Sequence, residues 1–114
     1  MILHIAVRSD WQAAQGVGEY RPASLTSEGF IHCSTADQLA AVANAFFRDQ
    51  RDLLILVIDE SRLTSPLRWE PAVGDAPVGG LFPHIHGRLN LEAVIRSVEL
   101  HPGPDGTFSL PSLL

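Results

Sequence analysis

The chain has no lysine: all eight of its cations are arginines, scattered against thirteen Asp and Glu for a net charge of −5. Binding nucleic acid through phosphate neutralisation needs clustered positive charge, so no nucleic-acid partner is expected. Cysteine is almost absent. With Cys33 alone there is no internal disulfide, as suits a reducing compartment. Long apolar runs are missing too, since the longest, Leu53 to Ile58, has the length of a strand and is far too short to span a bilayer. The first residues, Met1 to Arg8, carry neither the basic start nor the extended apolar stretch of a secretory signal. A cytoplasmic protein with no membrane partner is the expectation. Internal repeats and low-complexity tracts are also lacking, which excludes a solenoid.

What is present is an ordinary globular composition, 46% hydrophobic and 18% charged over 114 residues. That length fits one domain, residues 1–114, able to bury a core without a disulfide or metal staple. Ile2 to Val7 reads as a strand, and Ser9-Asp10-Trp11-Gln12 has the form of a capping box opening a helix from Asp10 to about Gln15. A loop from Glu19 to Gly29 leads to a short strand, Phe30 to Cys33. Thr35-Ala36-Asp37-Gln38 offers a second capping box, followed by Leu39, Val42, Ala43 and Phe46 at helical spacing. Leu53 to Ile58 is continuously apolar, the mark of a central strand buried on both faces. Leu67 to Glu70 and Ala93 to Leu100 read as further strands, Pro71 to Gly80 as a long loop, and Thr107 to Leu110 as a last short strand. Strands outnumber helices and no βαβ rhythm appears, so the fold class is α+β.

Candidate chemistry gathers in three places. In Gly29-Phe30-Ile31-His32-Cys33-Ser34, side-chain alternation puts Phe30, His32 and Ser34 on one strand face and Ile31 and Cys33 on the other. A Cys33 nucleophile activated by His32 is thereby disfavoured, and Cys33 reads as a small buried hydrophobe. His32 and Ser34 can share a polar ligand, although Ser34 or Thr35 can equally cap the following helix. In Phe82-Pro83-His84-Ile85-His86-Gly87, His84 and His86 project to one face, a metal half-site. Two nitrogens are not a site. A third ligand has to come from His32, His4 or Glu70 across the fold, and no metal is expected. Third, Glu70 stands between Trp69 and Pro71, where desolvation can raise a carboxyl pKa and suit it to acid or base work.

Leu3-His4-Ile5, Trp11, Tyr20, Gly29 to Ser34, Gln38, Phe46-Phe47, Asp52-Leu53-Leu54, Trp69-Glu70, Phe82 to Gly87 and Asp105-Gly106 together resemble a bacterial family, domain of unknown function 952, over almost the whole chain. Members more usually have Tyr where this chain has His86 and Thr where it has Ala6. The family is similar in fold to the ADP-ribosyltransferase-like superfamily, which implies two small curved, mostly antiparallel sheets around a cleft, with two or three short helices. The resemblance also implies NAD or another ADP-ribose-containing molecule as a ligand. His4-Ile5-Ala6 then supplies the first motif and His32-Cys33-Ser34-Thr35 the second, or His32 and Ser34 themselves form the first; the former fits the order better.

On that resemblance His4, His32, Ser34, Thr35 and His86 contact the ligand, and Glu70 and His84 are the catalytic candidates. Loss of nicotinamide leaves positive charge on the ribose, which a carboxylate such as Glu70 can stabilise. No cofactor is required, and NAD enters as substrate or ligand. A non-catalytic binding module for a nucleotide or other small molecule is the alternative, and a metal-dependent hydrolase built on His84, His86 and His32 the second. A glutathione-transferase reading fails on length and on the absence of a thioredoxin-like βαβ order. Nothing in the sequence bears on oligomeric state.

Overall fold

In the computed structural model, which describes residues 1–113, a strand of six apolar residues organises everything else. This strand, β4 (Leu53–Ile58), is buried at every position and pairs antiparallel with β1 (Ile2–Val7) on one side and β8 (Val94–Leu100) on the other. Alternation sends Leu54, Leu56 and Ile58 into one core with Ile2 and Ala6. Leu53, Ile55 and Val57 enter a second core with Leu39 and Ala43 of helix α3 (Ala36–Phe46). Burial on both faces is the physical reason the run has no polar break.

A second antiparallel sheet, in the order β3-β6-β5, is built from β3 (Ile31–His32), β6 (Leu81–Ile85) and β5 (Leu67–Pro71). One of its faces contributes Ile31 and Ile85 to the first core, which leaves the other face for polar groups. The sheets meet at one bridge. Leu3 N–H donates to Ser34 O at 2.8 Å and Ser34 N–H to Leu3 O at 2.7 Å. A two-residue ladder between β2 (Glu19–Tyr20) and β7 (Leu89–Asn90) completes the pairing. The architecture is α+β, with antiparallel sheets and three α-helices among the described residues, and no helix among them is long and apolar enough to cross a membrane.

The second capping box forms as the sequence predicts, with Thr35 N–H donating to Gln38 Oε1 at 3.0 Å at the start of α3. The first does not. Helix α1 (Arg8–Val17) follows β1 without a connecting residue, so Ser9 lies inside the helix and Val7 is the N-cap, with no side-chain cap bond. Arg8 N–H is satisfied instead by Asp52 O at 2.8 Å, and the helix start needs no hydroxyl there. The expected loop before Gly29 contains β2 and a short helix, α2 (Ala23–Ser27). The expected strand at Thr107 to Leu110 is irregular because a side chain does the pairing. Asn44 accepts from Phe108 N–H at 2.7 Å and donates to Phe108 O at 2.9 Å, seating the buried Phe108 in the second core.

Candidate functional site

Strand register decides which side chains meet on the polar face of the second sheet. His32 lies opposite His84, and Glu70 opposite Phe82, so all four project from one face. Phe30 packs against this group: its ring stacks on His84 at 4.1 Å between centroids with 22° between planes, and stands 4.7 Å from His32 and 5.4 Å from His86. Each end of the aromatic row has a carboxylate. Glu28 bonds His32 Nε2 at 2.8 Å, while Glu70 Oε1 bonds both His86 Nε2 at 2.6 Å and His84 Nδ1 at 2.9 Å.

Those bonds bear on the Glu70 carboxyl and on the ring tautomers. Hydrogen bonds from His86 and then His84 hold the Glu70 carboxyl below its ordinary range, opposite to the raised value that an acid beside Trp69 suggests from sequence. Trp69 alternates to the other face of β5, so it does not desolvate the carboxyl. An ionised Glu70 accepts the Nδ1–H of His84 and leaves Nε2 as the free nitrogen of that ring. Among the described residues every buried polar side-chain atom has a partner. His84 is buried and its Nε2 makes no bond, so this nitrogen is the edge of the ring that reaches open space.

His4, on the edge strand of the central sheet, is engaged on both sides. Nδ1–H donates to His32 O at 2.5 Å, and Nε2 accepts from the Tyr20 hydroxyl at 2.8 Å. Burial drives its pKa down to about 4, so the ring is neutral. It is a strut between the sheets with no nitrogen left for a ligand. Burial likewise pushes the Tyr20 hydroxyl and the Cys33 thiol up, and keeps Cys33 an inert thiol.

A cavity of about 460 Å³ opens beside these groups, and His4, His32, Ser34 and His84 all line it. Glu70, Thr35 and His86 are not among its lining residues. Thr35 is spent on the start of α3, and Glu70 and His86 lie beyond His84, which relays them to the wall. Ser34 lines the cavity, and its hydroxyl makes no hydrogen bond among the described residues; since no fully buried polar atom there lacks a partner, that hydroxyl keeps some open surface, which separates it from the capping role of Thr35. Tyr20, Phe46, Phe47 and Phe82 supply aromatic surface. The charged groups of the wall are Asp10, Glu28 and Asp75, and none of the eight arginines lines it.

Sequence reasoning assigned no role to Tyr20, Glu28 or Phe30. Glu28 and His32 sit four residues apart, a spacing that signals pairing only where a helix is expected, and here Gly29 with φ 88° turns the chain instead. Tyr20 meets His4 only through the tertiary fold. No local signal marks it.

Three solved structures of one protein from Caulobacter crescentus, CC0527, are similar to this chain. The crystal structure is 33% identical with a TM-score of 0.83, covering 96% of this chain and 93% of that one. The crystal structure of a double methionine variant is 32% identical with the same TM-score and coverage. The solution NMR structure is 33% identical, with a TM-score of 0.77 and coverage of 93% and 89%. No curated protein matches the chain. The sequence profile described as "Protein of unknown function (DUF952)" matches residues 5–97, most of the chain, and the chain belongs to that family.

Proposed function

We propose that the cavity between the two sheets is a binding site for a small organic molecule that is planar and aromatic in part and neutral or cationic where it meets the wall. The composition of that wall carries the reading: four Phe and Tyr rings, three imidazoles, three carboxylates and no arginine around about 460 Å³. A volume of that order suits a small ligand, and aromatic surface with a few convergent polar groups is the usual lining of such sites. Two polar atoms are free to orient the ligand, the Ser34 hydroxyl and His84 Nε2. The first can donate or accept, and the second accepts in the tautomer that Glu70 enforces.

NAD fits this wall only at one end. Its nicotinamide is a flat cation, suited to aromatic faces and carboxylates, whereas its two phosphates find no arginine there. The resemblance to ADP-ribosyltransferases therefore supports recognition of the nicotinamide end more than of the ADP-ribose end. Transfer asks for a carboxylate at the ribose, and the one that the sequence offers for that role, Glu70, touches His84 instead of the cavity. A binding module is the better-supported reading.

Titration of the isotope-labelled protein with N-methylnicotinamide and, separately, with ADP-ribose tests this. The expected result is shifts of the Tyr20, Ser34 and Phe82 amides with the cation, and weaker or absent ones with ADP-ribose. Ser34→Ala should weaken binding roughly two- to tenfold, the worth of one hydrogen bond. Tighter binding of ADP-ribose than of the cation overturns the reading. So does nicotinamide release from NAD that Glu70→Gln abolishes, which would restore the transferase.

A further inference from the structure

Beside the cavity, three donors converge that its lining does not explain. His84 lies on β6 and His86 just past its end, and Glu70 of the neighbouring strand β5 bonds both rings. One ligand atom from each of the three lies within 4.8 Å of both others. Two imidazoles, one on β6 and one just past its end, and one carboxylate from the neighbouring strand make a donor set that suits first-row divalent metals and leaves coordination positions open.

The distances are those of hydrogen bonds, and they lie close to the spacing that an ion needs. Bonds of about 2.1 Å put neighbouring donors roughly 3.0–3.4 Å apart around a metal in octahedral or tetrahedral geometry. Glu70 Oε1 now stands 2.6 Å from His86 Nε2 and 2.9 Å from His84 Nδ1, so the donors need only part slightly to admit an ion. Exposure is graded in the sense an open site requires. The side chain of His84 is 3% exposed, that of His86 22% and that of Glu70 34%, giving a walled inner side and a wet outer one. Phe30, stacked on His84, fixes the plane of the innermost ring.

We propose that Glu70, His84 and His86 bind one first-row divalent transition metal, of the zinc class, through Glu70 oxygen, His84 Nδ1 and His86 Nε2, with solvent in the remaining positions. Coordination at Nδ1 leaves the His84 proton on Nε2. The nitrogen on the cavity wall thereby turns from acceptor into donor, so the metal changes what the neighbouring cavity recognises.

The test uses full-length protein without an affinity tag, stripped with a chelator. Zn²⁺ is titrated in competition with a chromophoric chelator, and Co²⁺ is followed by its visible absorption. One equivalent of each is expected, with Co²⁺ bands indicating fewer than six ligands or a distorted site. His86→Ala and Glu70→Gln should each weaken Zn²⁺ at least tenfold, while His101→Ala, far along the chain in β8's continuation, leaves it unchanged. Ring ¹⁵N spectra of the unsubstituted protein identify the ligands independently of any variant's folding, through shifts at His84 Nδ1 and His86 Nε2. Uptake below stoichiometric, uptake that survives His86→Ala, or ring shifts confined to other histidines would sink the proposal. N-methylnicotinamide binding in the stripped protein is a separate readout, so the cavity and the metal site can fail independently.

Discussion

The two three-stranded sheets use burial for opposite ends. In the central sheet, β4 is apolar at all six positions and both faces are covered, so its burial is nearly all hydrophobic gain. In the second sheet, β6 is buried from Phe82 to Ile85, but that burial includes His84, held by Glu70 and stacked by Phe30. A buried polar group repays its desolvation only through its partners, so this sheet gains specific geometry more than stability. Stability and chemistry are thus divided between the two sheets. The bridge at Leu3 and Ser34 and the strut of His4 join them.

The division predicts the largest loss at the centre of β4. Leu56→Ala removes a fully buried side chain, and urea denaturation should show about 2–5 kcal/mol less stability with an unchanged m-value. A loss below about 1 kcal/mol would mean that the central sheet is not the stable half.

His4 comes next, and its effect appears only with pH. Its folded pKa of about 4 lies below the ordinary 6.5, so between those values the unfolded chain binds the extra proton. The stability tied to the neutral ring is full above pH 6.5 and drains as pH falls towards 4, by about 3 kcal/mol in all. Denaturation from pH 7.5 to 4.5 should show this slope, and His4→Gln should flatten it. Depressed carboxylates such as Glu70 and Glu99 add a loss of the same sign at lower pH. A slope unchanged by His4→Gln would assign the effect to other groups and remove His4 as the strut.

On the polar face of the second sheet the expected cost is smaller. Phe30→Leu keeps an apolar side chain but loses the stack on His84, and about 1 kcal/mol should go, while ring signals of His84 and His86 move in the NMR spectrum. Stability unchanged and ring signals unmoved together would show that Phe30 does not order the histidines.

The same division explains what could be read in advance. β4 and α3 were legible because each is written locally, in one apolar run and in the Thr35–Gln38 capping box with its helical spacing. Alternation within Phe30 to Ser34 also sent Ile31 and Cys33 into the first core, although Cys33 reaches the cavity wall as well, beside His32 and Ser34. Which of Glu70, His32 and His4 joins His84 and His86 was not legible. It depends on the β5–β6 register across a loop, which sets Glu70 opposite Phe82 and one diagonal step from His84. Ser9 misled for a related reason. Its capping pattern is genuine, but Asp52, distant in sequence, already satisfies the helix start.

The smallest expected effect sits at the rim of the strong half. Arg8 at the start of α1 pairs with Glu99 of β8 at 2.5 Å, and both side chains are partly or largely exposed. Solvent and salt screen such a pair and ordering two long side chains offsets its attraction, so Arg8→Gln should change stability by no more than about 0.5 kcal/mol. The change should shrink further in 1 M NaCl. A cost that equals that of Leu56→Ala and vanishes in salt would mean that the central sheet is tied by charge across its edge. In that case apolar burial on β4 could no longer account for the contrast between the sheets, because both would depend on polar partners.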